Sequence, residues 1–392
     1  MARMPITILL ALLCITAGCV IAPAKSANPD GKAIDAQATR LMQREGVQGM
    51  ALAVIENGRV AYVAAYGYRN AARKLPLTTT TVMYGASLTK TAFTYMLLQL
   101  VDEGRLSLDA SVADLLPQPL PKYNSDDYNY TALAGDERWR KLTPRILLSH
   151  TSGFANFRWL EPDQRLRFHS TPGTRYGYSG EGFYILQLIL EQGLGLDVGK
   201  EMQTRVFARF NMTHTSMTWR ADFADNLADG YKLDGSVLAH DERSSVSAAG
   251  SMDTTIADQA RLWAGIARGD GLGHAARAEM VRPQIAIMSA HEFPSLATAT
   301  NPDNKRIHLA AGLGLVTFED TSGPAWFKGG HNDGTGNMVV CLEAGRRCVV
   351  LLANDVRAER IYPEITRFIL GNTEMPWMWE YDWMAPSGVK QP

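Results

Sequence analysis

The sequence is short of several things, and each shortage removes a class of function. Net charge is nearly absent: 39 Lys and Arg stand against 40 Asp and Glu, formally -1. No basic field argues for a nucleic-acid partner. Beyond the first thirty or so residues, no apolar run is long enough to span a bilayer. The eight histidines show no His-Glu-x-x-His or comparable spacing, so no metal is expected. There is no glycine-rich phosphate loop, and no cofactor is expected. A Gly-x-Ser-x-Gly elbow is missing too, which argues against an α/β-hydrolase. No internal repeat or low-complexity tract appears. Charged residues at 20% and hydrophobic ones at 46% leave an ordinary globular composition. A chain of 392 residues can bury a large core in one or two interleaved domains.

Cysteine is scarce as well, with four in the chain. Cys14 and Cys19 fall in residues 1–27, which read as a leader. Arg3 precedes an apolar run over 6–21, followed by small residues and a polar Pro/Gly stretch. Two processing routes stay open. "ITAGC" (15–19) resembles a bacterial lipobox and would leave a lipidated Cys19. "APA" (22–24) and "KSA" (25–27) offer cleavage after Ala24 or Ala27. Either way the protein is expected to be exported, periplasmic or secreted, with membrane attachment only through a lipid on Cys19. Cys341 and Cys348 flank "LEAGRR" between two apolar strands. If Ala344-Gly345 makes the tight turn, they face each other across a hairpin, and an oxidising compartment could join them. Two buried free thiols are the alternative.

What is present has a clear order. Residues 31–46 read as an amphipathic helix. Two strands follow around Asn57-Gly58, a strong hairpin signal. "MYGASLTKTAFTYMLLQL" (83–100) reads as a buried helix from Thr91 onward, closed by Gly104. Helices are predicted near 144–149, 180–193, 197–209 and 255–268. Strands return in "GLGLVTFED", "AWFKGG", "GNMVVCL" and "CVVLLAND", then a helix over about 359–371. Strands at both ends with helices between predict an α/β (α+β) chain: an antiparallel sheet flanked by helices, with a mostly helical domain inserted. The expected boundaries are 28–115 and 304–372 for the sheet domain and 116–303 for the insert. A Trp-rich tail, 373–392, has no clear class.

Near the start of the apolar helix sit Ser87 and Lys90, one turn apart on one face. A serine hydroxyl is a poor nucleophile until a base takes its proton. Burial lowers a lysine pKa, so a desolvated Lys90 could be that base. The helix N-terminus favours an alkoxide at Ser87. Taken alone, the pair reads first as a capping serine and a snorkelling lysine.

The wider sequence favours the chemical reading. "MYGASLTK" (83–90) with "LVDEGRLSLDASVADLLP" (100–117) resembles the serine β-lactamase, penicillin-binding protein and esterase superfamily, nearest its class C-like branch. "LTPRILLSHTSGF" (142–154), "TPGTRYGYSGEGFYILQLIL" (171–190), "AAGSMDTTIADQARLWAGI" (248–266) and "WFKGGHNDGTGNMVVC" (326–341) resemble its later blocks, in the same order. The resemblance covers roughly residues 35–370 and implies a β-lactamase/transpeptidase-like fold.

It also implies roles. Ser87 would be acylated, and Lys90 would take or relay its proton. Tyr178 would share that network and protonate the leaving group, with a pKa lowered by two nearby cations; Tyr176 is its nearest decoy. Lys328 or His331 would head the third motif, the glycine spacing favouring Lys328. Gly330 matches the motif's glycine, and Gly334 and Gly336 fall where the family has small residues. The backbone N–H groups of Ser87 and His331 would form the oxyanion hole. His150 would order the neighbouring loop. "HDE" (240–242) reads as a solvated loop.

Two departures stand out. Gly180 replaces the family's asparagine, which contacts the acyl side-chain amide, and would leave space beside Ser87. Gly329 removes the hydroxyl between the motif's lysine and glycine, although Lys328 could still hold a substrate carboxylate. The expected function is therefore an exported serine hydrolase with an acyl-enzyme on Ser87, acting on carboxylic esters. The alternatives are a β-lactamase or D-amino-acid peptidase, including a DD-carboxypeptidase, and a non-catalytic member that binds cell-wall peptide. The expected partner is a small-molecule ester, β-lactam or peptide.

Overall fold

The computed structural model describes residues 29–381. The leader, its two processing routes at Cys19 and at Ala24 or Ala27, and Cys14 lie outside the described residues.

Strands buried on both faces, nearly without a break in Gly49–Glu56, Thr335–Leu342 and Arg347–Ala353, build one nine-stranded sheet. Its strands are β1 (Gly49–Glu56), β2 (Arg59–Asn70), β3 (Leu75–Pro76), β4 (Ile285–Ala286), β5 (Ala310–Ala311), β6 (Val316–Asp320), β7 (Gly323–Asn332), β8 (Thr335–Leu342) and β9 (Arg347–Ala353). They lie in the order β3-β2-β1-β9-β8-β7-β6-β5-β4, and each adjacent pair is antiparallel. The two ends of the chain meet at β1 and β9, with Leu52 opposite Leu351. Asn57 and Gly58, both at positive φ (52° and 70°), make the hairpin turn the sequence predicts.

The sheet is covered on both faces. Met50, Leu52 and Val54 point into one core, with helices α1 (Gly31–Glu45) and α5 (Tyr362–Leu370). Ala51, Ala53 and Ile55 point into the other, with α2 (Leu88–Asp102), α3 (Gly180–Leu188) and α4 (Ile256–Arg268). Each fully buried aliphatic side chain here is worth about 1.5–3 kcal/mol relative to exposure. This is the mixed α/β architecture with an antiparallel sheet that the sequence predicts.

The domain boundaries differ from those expected. Strand β4 comes from within 116–303 yet completes the sheet edge. Helix α4, also from that stretch, packs on β1, β2 and β9. Its apolar residues Ile256, Leu262, Trp263 and Ile266 are fully buried, which is why it belongs to the sheet layer and not to a separate insert. The described part of the Trp-rich tail, 373–381, packs on the fold: Trp377–Glu380 forms a short helix, and Trp379 and Tyr381 are each only 2% exposed.

Cys341 and Cys348 pair across β8 and β9, with Cα atoms 4.1 Å apart and their sulfurs bonded. The turn is longer than Ala344-Gly345 alone. Leu342 pairs with Arg347, so 343–346 form the loop, with Gly345 at φ 73° and Arg346 at φ 44°.

Candidate active site

Ser87 stands just before helix α2, at its N-cap position, but its side chain makes no cap hydrogen bond. Instead Lys90 Nζ lies 3.1 Å from Ser87 Oγ. The residue before, Ala86, sits at φ 46°, a conformation that costs an L-residue about 1–3 kcal/mol and clusters at functional sites. Local bonds hold it there. Gly85 N–H donates to Met252 O at 2.8 Å, and Thr89 Oγ1 donates to Ala86 O at 2.6 Å.

Lys90 does not snorkel. It is 1% exposed, and its Nζ also donates to Ala249 O at 2.6 Å. Burial, then repulsion from Lys328, pushes its pKa well below the ordinary lysine value. A free amine next to the serine hydroxyl can accept its proton.

Tyr178 ends the segment before α3, which Ser179 caps. Its hydroxyl lies 3.3 Å from Lys328 Nζ. Its ring lies between the two lysine nitrogens, with Lys90 Nζ at 5.0 Å and Lys328 Nζ at 4.8 Å from the centroid. His150 stacks beneath the ring at 4.2 Å and accepts from Ser179 N–H through Nδ1 at 3.0 Å. Burial first, then both lysines, keep His150 well below its usual pKa, so it is a neutral platform. The expected lowering of the Tyr178 pKa does not occur. Burial raises it and outweighs Lys328 and Ser87, which pull it down. Tyr178 is therefore a phenol, a proton donor. Tyr176, the decoy, turns away and donates to Glu292 Oε1 at 2.9 Å.

Lys328 and His331 are told apart by the pleat. Trp326, Lys328 and Gly330 share one face of β7, and His331 lies on the other. Lys328 is 4% exposed and reaches Tyr178; the His331 side chain is 40% exposed and lies 3.7 Å from Glu359. Lys328, and not His331, therefore meets Tyr178 in the cleft. Burial alone would lower its pKa, but Tyr178, Glu292 and Glu380 outweigh burial and raise it, so it stays an ammonium. Gly330 faces the start of α2: a Cβ there would stand 2.9 Å from Ser87 N and 3.0 Å from Leu88 N. The β6 ladder on this strand ends at Phe327, so the β6 side of β7 is open where α2 meets it.

Ser87, Tyr178, Lys328, Gly330 and His331 line a cleft of about 810 Å³, and a second of about 570 Å³ adjoins it at Phe293, His331 and Glu380. Gly180 does not open space in it. A Cβ on Gly180 would stand 2.2 Å from the Phe157 ring, so Phe157 fills the position. Phe157 stacks on Trp159 at 4.1 Å, and Trp159 and Leu160 form an apolar rim, 52% and 64% exposed. In the 240–242 loop Asp241 and Glu242 are exposed as expected, and His240 is the exception. The His240 side chain is 4% exposed and bonds Asp253 at 3.1 Å, because Asp253 is fully buried and draws both His240 and Arg243 inward.

Three cleft residues escaped the sequence reading. Asn156 lines the wall and accepts from Gly180 N–H at 3.0 Å; only its place just after "HTSGF" pointed to it. Glu292 and Glu380 line the same cavity and sit in segments with no motif.

The chain matches the Beta-lactamase family model over residues 34–371. It is 26% identical over 224 residues to "Protein flp" of Staphylococcus aureus, covering 53% of this chain and 42% of that protein. It is 32% identical over 185 residues to "Penicillin-binding protein 4" of Amycolatopsis lactamdurans, covering 44% of this chain and 45% of that one. The chain spans less than half the length of these curated relatives. Among solved structures, D-alanine carboxypeptidase AmpC from Burkholderia cenocepacia matches with a TM-score of 0.67 at 21% identity, over 87% of this chain and 99% of that one. The octameric penicillin-binding protein homologue from Pyrococcus abyssi matches with a TM-score of 0.65 at 18% identity, over 84% and 74%. These two likenesses are likenesses of fold.

Proposed function

This chain belongs to the Beta-lactamase family, whose fold is generally that of serine hydrolases, and on that premise we propose that it cleaves carboxylic esters through an acyl-enzyme on Ser87. One observation carries the reading: Lys90 Nζ lies 3.1 Å from a Ser87 hydroxyl that caps nothing. The Ser87 O–H gives its proton to the Lys90 amine while Oγ attacks the ester carbonyl. The oxyanion that forms is held by the N–H groups of Ser87 and His331. Tyr178 passes a proton to the departing alcohol and recovers one from Lys90. Water then attacks the acyl group and releases the acid.

Esters are favoured because the acyl side of the cleft is aromatic. Phe157 stands where an amide-binding side chain would be, and Trp159 and Leu160 extend the apolar rim. The second reading is a β-lactam or D-amino-acid peptide, supported by the buried Lys328 ammonium. Export is part of the same proposal. It is supported by the leader-like residues 1–27 and by the Cys341–Cys348 bridge.

The test is kcat/KM for p-nitrophenyl acetate and butyrate against nitrocefin and a D-Ala-D-Ala peptide. A fluorophosphonate label should attach to the native protein and not to Ser87→Ala. Preference for nitrocefin or the peptide would favour the second reading. Labelling of Ser87→Ala would remove Ser87 as the nucleophile.

A further inference from the structure

His150 has no step in the reaction above, yet three of its contacts converge on Tyr178. It follows the short helix Pro144–Leu148 and sits at φ 54°. Outside glycine that left-handed backbone costs about 1–3 kcal/mol and persists only where the surroundings hold it. The segment that carries Tyr178 holds it. His150 O accepts from Gly177 N–H at 2.8 Å, and His150 Nδ1 accepts from Ser179 N–H at 3.0 Å. Between these two bonds the imidazole stacks on the Tyr178 ring, with centroids 4.2 Å apart and planes 23° from parallel. One histidine thus holds the residue before Tyr178, the residue after it, and the ring itself.

The clamp needs a histidine. Ser179 O lies 3.2 Å from Nδ1, but Ser179 N–H is a donor in every tautomer, so Nδ1 carries the lone pair and the ring proton sits on Nε2. Nε2 is buried and has no hydrogen-bond partner among the described residues. Leaving a buried polar atom unpaired costs about 1–3 kcal/mol. A phenylalanine would fill the same space among Tyr176, Tyr178 and Phe183 without that cost, but it could not accept from Ser179. The far end of Tyr178 is held less firmly. Its hydroxyl meets Lys328 Nζ at 3.3 Å, long for a hydrogen bond, and the edge contact with Phe293 spans 5.2 Å. The aim of the phenol is therefore set from the His150 side.

We propose that His150 is a positioning residue for the proton donor: it clamps Tyr178 at both flanks and on one face, and so fixes where the Tyr178 hydroxyl meets the departing alcohol. This rests on the ester-hydrolase reading and adds a residue to it. The role matters in proportion to the leaving group's need for a proton. An alkoxide leaves poorly until it is protonated, whereas p-nitrophenolate departs unaided. A displaced Tyr178 therefore slows alkyl esters and largely spares activated ones. A residue that only held the fold together would slow both alike.

The experiment compares kcat/KM for ethyl butyrate and p-nitrophenyl butyrate in the wild type, His150→Gly and His150→Asn. Glycine removes the imidazole and accepts the positive φ without strain. It should lose at least about ten-fold more on the ethyl ester than on the nitrophenyl ester, since a positioned acid is worth about 10²–10⁴ in rate. Asparagine also tolerates positive φ, and its side-chain oxygen can stand where Nδ1 does. It keeps the acceptor, loses the stack, and should recover part of the difference. His150→Gln fills the space with no acceptor at that place, and replaces the glycine variant if that one fails to melt cooperatively. Equal losses on the two esters in the folded glycine or glutamine variant overturn the proposal and leave ester hydrolysis standing. An asparagine variant whose ratio is no nearer the wild type overturns it as well. Failure of the wild type to cleave either ester overturns the hydrolase reading and this proposal with it.

Discussion

Gly330→Ala should disable the enzyme while leaving every catalytic side chain in place. The added Cβ would stand 2.9 Å from Ser87 N, 3.0 Å from Leu88 N and 3.3 Å from Gly85 O. Ordinary contact begins near 3.4 Å, so the strand and the helix start must part by about half an ångström. All three neighbours are backbone atoms, and none can rotate away. The strand cannot yield easily, because β7 is paired to β8 from Ala325 through Asn332. The helix start cannot either, because Ala86 already sits at positive φ. The displacement therefore falls between Ser87 and the strand that carries His331. A misplacement of about 1 Å costs on the order of a hundred-fold in rate, so a loss of roughly ten- to a hundred-fold in kcat is expected. Overpacking should also cost about 1–3 kcal/mol of stability. Steady-state hydrolysis of p-nitrophenyl butyrate and thermal unfolding measure the two effects. An alanine variant that keeps more than half of the native kcat and melts at the native temperature would show that α2 and β7 are not in the tight contact described.

Other outcomes follow from the same geometry. Because Lys90 must be a free amine to accept the serine proton and its pKa is held low by burial and Lys328, kcat/KM should rise with pH through that ionisation. It should then stay flat to about pH 10, since Tyr178 is held above the usual phenol value; a profile that falls between pH 8 and 9 would contradict a protonated Tyr178. Folding stability should rise over the window from the lowered Lys90 pKa up to the ordinary lysine value, because there the unfolded chain binds the extra proton; a Lys90→Met variant that keeps the same slope would refute this. Gly180→Asn should lower activity on every substrate, because the new side chain meets the Phe157 ring at 2.2 Å; a gain in nitrocefin turnover would mean that Phe157 swings away freely. Replacing Cys341 and Cys348 by alanine should lower the unfolding free energy by about 2–3 kcal/mol, as expected for a closed loop this short, read from urea denaturation; free alkylation of both thiols in unreduced wild-type protein would contradict the bridge.

Much of the fold was legible because its signals are short-range. Asn57-Gly58 reports a turn through its own backbone preferences, and β1 reports a central strand through seven successive buried residues. Ser87 and Lys90 are legible for the same reason, being one helical turn apart. What stayed hidden depends on which segment arrives from far along the chain. Nothing around Gly180 announces that Phe157 will cover it, and nothing near Asp253 announces that His240 will be drawn inside. The two lysines make the point most sharply. Both are buried in one cleft, beside one tyrosine, yet one is held as a free amine and the other as an ammonium. The difference lies in their partners. Lys90 meets a hydroxyl and a backbone carbonyl, neither of which stabilises charge enough to offset burial. Lys328 faces Glu292 and Glu380, delivered by a loop and by the C-terminal turn. Those acids do two things at once. They keep Lys328 charged, and a charged Lys328 helps hold Lys90 neutral. The base strength of the residue next to the nucleophile is therefore set in part by a tail whose own sequence carries no catalytic motif. Glu380→Gln should accordingly move the ascending limb of the pH profile: without that acid, Lys328 loses its proton more readily, repels Lys90 less, and lets the Lys90 pKa rise. An ascending limb that shifts to lower pH in that variant would refute the coupling.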